Sequence, residues 1–86
     1  NATLEMSADD IALRERIECI QRRTITLLSA AVIRGQASGA FNAKLDEKAV
    51  GEFLLCITQG LRVLGKTPRD EQQLTSIVDL AMRALV

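Results

Sequence analysis

The sequence contains no histidine, no tryptophan and no tyrosine. Without histidine, the commonest general base and the commonest metal ligand are both missing. Phe41 and Phe53 are the only aromatic residues, so a core must be built from Leu, Ile, Val and Ala, the material of helix-on-helix packing. The two cysteines, Cys19 and Cys56, lack the CxxC spacing of a zinc site, and no secretory signal peptide is expected. They read as reduced, buried small residues rather than as a disulfide framework. There is also no excess of either charge: eleven basic side chains match eleven acidic ones. A DNA-binding domain of this size carries a clear basic surplus, so specific DNA binding by these residues is disfavoured. The longest strongly apolar run, Ile25 to Ile33, falls short of the ~20 residues that span a bilayer. No membrane contact is expected, and a reducing cytoplasm is the expected location.

What is present is an 86-residue chain, 48% apolar, close to the lower size limit for a self-sufficient core. It opens at Asn1 rather than at a methionine. Residues 1–7 show no fold pattern and are expected to be a disordered remnant, with the folded part at 8–86 forming a piece of a longer protein.

Three helices are predicted, at about 8–38, 46–64 and 68–85, an all-α fold. Ser7 followed by Asp9 and Asp10 is a helix start, a hydroxyl cap with acids at the positive dipole end. From there Leu13, Ile17, Ile20, Thr24, Leu27, Leu28 and Ala31 recur at steps of three and four. Gly35 lies within that pattern at an expected cost of about 1 kcal/mol against alanine; Gly39 is the better stop. Asp46 caps the second helix and Gly65 ends it. Val50, Phe53, Leu54, Ile57, Leu61 and Leu64 form its wide stripe, while Ala49, Cys56, Gly60 and Val63 form a second, smaller face. In Thr67-Pro68-Arg69-Asp70 the threonine caps the third helix, with proline at its first position. Leu74, Ile77, Val78, Ala81 and Leu85 make its main stripe, widened by Met82 on one side and by Leu80 and Ala84 on the other.

Chemistry finds little to work with. Ser29, Ser38, Ser76 and the cysteines have no histidine to activate them. Asp9-Asp10 and Asp46-Glu47 are carboxylate pairs at helix starts, where capping explains them. The glycines of Arg34-Gly35-Gln36-Ala37-Ser38-Gly39 are spaced too loosely for a phosphate loop, and no strand precedes them. Arg22-Arg23 with Arg14, Arg16 and Arg34 is the densest basic cluster, but Glu15 and Glu18 are interleaved at helical spacing, which describes a solvated, salt-bridged face. An enzyme is not expected, and no cofactor, metal or catalytic residue is assigned. Three helices with this much apolar surface make a poor monomer, because large exposed apolar patches mark interfaces.

The ordered set of short segments also carries a resemblance. Arg34-Gly35-Gln36-Ala37-Ser38-Gly39-Ala40-Phe41, then Leu45-Asp46, resembles the end of the seventh helix and the following turn of bacterial TetR-family transcriptional regulators. Phe53-Leu54-Leu55 with Gln59-Gly60-Leu61-Arg62-Val63-Leu64 looks like the eighth helix. Ile77-Val78-Asp79-Leu80-Ala81-Met82-Arg83-Ala84-Leu85 looks like the ninth. The resemblance implies a C-terminal regulatory and dimerisation domain over residues 8–86. It implies a homodimer built on the last two helices, and contact with DNA only through an N-terminal helix-turn-helix that these residues lack. A small hydrophobic effector in the complete protein is also implied, although the middle helices that would wall most of its pocket are missing here.

The candidate dimer interface is Ala49, Cys56, Gly60, Val63, Ile77, Leu80, Ala81 and Ala84. Gly60 anchors that assignment, because a mid-helix glycine is tolerated where a neighbouring helix comes close. Thr24 and Leu28 are the candidate ligand-lining residues, with the threonine hydroxyl either facing a ligand or bonded back to its own helix. A different class of protein, a stand-alone helical interaction module, fits the same packing pattern.

Overall fold

The computed structural model describes residues 6–86, and the expectation for residues 1–5 lies outside it. Three helices follow in order, α1 (Ala8–Ala37), α2 (Glu47–Leu64) and α3 (Glu71–Arg83), with no strand among the described residues. The all-α expectation is met.

Local chemistry sets most of the boundaries. Ser7 and Asp10 form a reciprocal capping box: the Asp10 amide donates to Ser7 Oγ (3.1 Å) and the Ser7 amide to Asp10 Oδ2 (3.3 Å). Two of the orphan donors at the start of α1 are thereby satisfied. At the other end Gly39 takes φ +82°, the left-handed geometry that glycine adopts without steric cost. Asp46 Oδ2 accepts from the Ala49 amide (2.9 Å) and starts α2.

The third helix begins later than expected. Asp70, not Thr67, is its cap, with Oδ1 accepting from the Gln72 amide (3.1 Å). Thr67 is instead engaged by the helix before it: its Oγ1 donates to the Leu64 carbonyl (3.1 Å), which Arg69 Nε also reaches (3.2 Å). Those bonds satisfy the Leu64 carbonyl, one of those left open at the end of α2. Pro68 therefore belongs to the connector, not to the first turn of α3.

The middle helix holds the other two: α1 packs on α2, and α3 packs on α2 in turn. Val32 near the end of α1, Val50 near the start of α2 and Leu85 just past α3 make the core cluster, closed by Phe41, Leu45 and Leu54. The Asn42 amide donates to the Leu85 carbonyl (2.7 Å), tying the chain end to the α1–α2 loop. That loop is itself pinned by Gln36, whose Nε2 donates to the Asn42 carbonyl (3.1 Å) and the Leu45 carbonyl (2.8 Å). The ring of Phe41 lies flush on Gly35, where any Cβ would penetrate it. A helix-weakening glycine is thus the seat of an aromatic ring.

Gly51 plays the same part between helices. A Cβ there would stand 2.5 Å from Ser29 Oγ and 3.2 Å from the Ile25 carbonyl, so α2 crosses α1 with its backbone against that helix.

Little is enclosed. The buried apolar residues among those described are Val32, Val50, Ala81 and Leu85. Every residue from Ser7 to Arg23 is exposed, so the first half of α1 stands clear of the other helices. The radius of gyration is 16.6 Å, against about 12 Å for a compact domain of this length. Both cysteines are free and exposed, which corrects the expectation that they are buried. Cys19 lies on the free half of α1, and Cys56 on the side of α2 turned away from α1.

A candidate association face

The inward side of α2 carries Val50, Gly51, Leu54, Leu55, Ile57, Leu61 and Leu64, all buried or half-buried. Its outward side carries Ala49, Phe53, Cys56, Gly60 and Val63, all exposed, with Phe53 at 37% and Val63 at 64%. Those five recur at steps of four, three, four and three. That is the 3.5-residue repeat of a seam that packs against another helix. Four of them were expected there. Phe53 was expected in the core stripe, and it lies instead at the edge where the two faces meet.

Gly60 settles one packing question. Apart from the backbone of its own helical turns, nothing lies within 4 Å of the place a Cβ would take, so this glycine is not the close approach between α2 and α1. Gly51 is. A glycine's role depends on where two helices cross, and nothing in its immediate sequence neighbours records that point.

The outer strip of α3 extends the face. Gln73, Ile77, Leu80 and Ala84 repeat at four, three and four; Leu80 is 66% exposed, Ala84 is exposed and Ile77 is half-buried. Ala81, expected with them, is only 6% exposed and is taken up inside the chain. A shallow groove of about 220 Å³ joins the two helices, with Ala49 and Phe53 of α2 on one wall and Ala84 and Leu85 near the end of α3 on the other. Six of the eight candidate interface residues therefore stand open on α2 and α3.

The candidate ligand residues are not brought to one cavity. Thr24 and Leu28 are half-buried, and Thr24 Oγ1 donates to the Ile20 carbonyl four residues back (2.9 Å). Its proton is committed within the helix. A different groove, of about 560 Å³, runs between α1 and α2, with a floor of Ile25, Ala30 and Ile33 and a rim of Arg22, Glu47, Lys48 and Glu52. Neither Thr24 nor Leu28 lines it. Its floor comes from the Ile25–Ile33 run, whose apolar surround was the available signal. Ser29 also borders this groove, and its Oγ is buried with no hydrogen-bond partner.

The described residues contain no cluster of three or more Cys, Asp or Glu side chains placed to hold a metal ion. Among the described residues, no helix is long and apolar enough to cross a membrane. No family model, curated protein or solved structure significantly matches this chain.

Proposed function

We propose that this chain is the dimerisation and effector-side part of a TetR-like bacterial transcriptional regulator, and that it acts by self-association rather than by catalysis. The observation that carries this reading is the open apolar seam on α2, continued by Leu80 and Ala84 at the end of the third helix, joined to it by one groove and unpartnered among the described residues. A helix face with a 3.5-residue apolar repeat gains stability only against another helix. Two copies related by a two-fold axis present the same face to each other. The groove between α1 and α2, with its apolar floor and charged rim, supports an effector side. A small, mostly hydrophobic ligand suits such a site, and the rest of its wall would come from other parts of the complete protein. Contact with operator DNA belongs to a separate helix-turn-helix, since the balanced charge of these residues provides no basic excess for it.

The test is two-part. Sedimentation equilibrium of the chain is expected to give a dimer, and titration with operator-like duplex at low salt no sequence-dependent binding. The reading frame upstream of Asn1 then separates a regulator, which encodes a basic helix-turn-helix there, from a stand-alone interaction module, which starts close by.

A further inference from the structure

The seam on α2 has an internal symmetry. Cys56 is its midpoint, with Ala49 seven residues before it and Val63 seven after. Phe53 lies three residues before Cys56 and Gly60 four after. The bulkiest member of the seam and the one with no side chain therefore flank the centre at nearly equal distances. The one-residue difference is about 1.5 Å of helix rise, less than the width of an aromatic ring.

Such an arrangement is complementary to itself when reversed. We propose that two copies meet through antiparallel α2 helices, with the two-fold axis passing beside Cys56, so that Phe53 of each seats over Gly60 of the other. This rests on the association reading above and adds its register. The Phe53 ring, 37% exposed and edging the groove toward Ala84, has no full enclosure within the chain. A Cβ added at Gly60 would meet no side chain within 4 Å. Ala49 meets Val63 at the outer ends, again small against large. A second copy is the occupant that brings the right shapes in the right order, since the seam is matched by its own reverse.

The surface to be covered is large enough. The chain exposes 6916 Å², whereas a compact folded monomer of 9.4 kDa exposes about 5,000 Å². A standard interface takes about 800 Å² from each partner, which that surplus can supply.

The axis position makes Cys56 the reporter. In a Cys19→Ser background it is the only thiol. Facing Cys56 side chains on a close helix pair bring the two Cα atoms near the 4.4–6.8 Å range that a disulfide needs. Diamide supplies the oxidant: each thiol gives up one electron and one proton to its N=N bond, which becomes a hydrazine, and one S–S bond joins the copies. Brief treatment at low protein concentration is expected to yield covalent dimer from Cys19→Ser and none from Cys56→Ser, whose remaining thiol is the exposed Cys19.

A size swap provides an independent arm. Gly60→Phe sets two rings against each other and is expected to weaken association by roughly a hundredfold. Phe53→Ala with Gly60→Phe moves the ring to the other side of the same contact and is expected to recover most of that loss, with helicity followed by circular dichroism. A chain that sediments as a dimer under reducing conditions, yet neither cross-links through Cys56 nor recovers in the swap, overturns the register and leaves the association reading standing. A chain that stays monomeric overturns both.

Discussion

Ser29 Oγ occupies the space next to Gly51 so closely that a methyl group on that glycine would come within 2.5 Å of it. The hydroxyl is buried and makes no hydrogen bond. A polar atom left unsatisfied in an interior costs about 1–3 kcal/mol, yet here it faces the one residue small enough to let α2 approach.

Gly51→Ala is therefore expected to destabilise the chain by about 1–2 kcal/mol through overpacking, despite alanine's better helix propensity. Ser29→Ala is expected to be neutral or stabilising by up to about 1 kcal/mol, because it removes the orphan oxygen. The two sites touch, so their effects should not add. Urea unfolding of the two variants and the double mutant measures all three terms. Equal loss from Gly51→Ala with and without Ser29 refutes the contact.

Gly35→Ala provides a second test of the same principle within the α1–α2 turn. The Phe41 ring lies where the new methyl group would go, so the ring must leave the core cluster that it closes. A loss of about 1–3 kcal/mol is expected. A gain in thermal stability, as helix propensity alone would give, contradicts that packing.

The start of α3 can be checked by removing one cap at a time. Asp70→Ala is expected to cost about 1 kcal/mol, since its carboxylate caps Gln72. Thr67→Ala is expected to cost less, because Leu64 also accepts from Arg69. The reverse order in chemical denaturation places the cap at Thr67.

The free half of α1 should behave differently from the crossing. Amides from Ile11 to Arg23 belong to a helical stretch that has no buried residue, and an isolated helix of this length is marginal in water. Hydrogen exchange should show far lower protection there than at Val50 to Leu54. Uniform protection along α1 requires that a partner cover this stretch.

The three helices were legible because each carries its own signals: Ser7 and Asp46 at starts, Gly39 at a stop, and apolar steps of three and four between them. The α3 start was misread because Thr67-Pro68 and Asp70 are both sound caps by local chemistry. Only the bond from Thr67 back to Leu64 decides between them. The small face of α2 was legible in Ala49, Cys56, Gly60 and Val63, whereas Phe53 was drawn to the core by its size. Gly51 was missed because a crossing point is a property of two helices. The cysteines were expected inside because cysteine is usually buried. Here each lies on a helix side that the chain itself does not cover.

Sedimentation equilibrium of the chain beside Val63→Glu and Leu80→Glu, with circular dichroism to confirm helicity, tests the association face most directly. The expected result is a dimer that dissociates at micromolar concentration or below, and two helical monomers in its place when a carboxylate enters either seam. A helical wild-type chain that remains monomeric into the sub-millimolar range, or charged variants that dimerise as tightly as the parent, contradicts the assignment of α2 and α3 as the surface through which this protein associates.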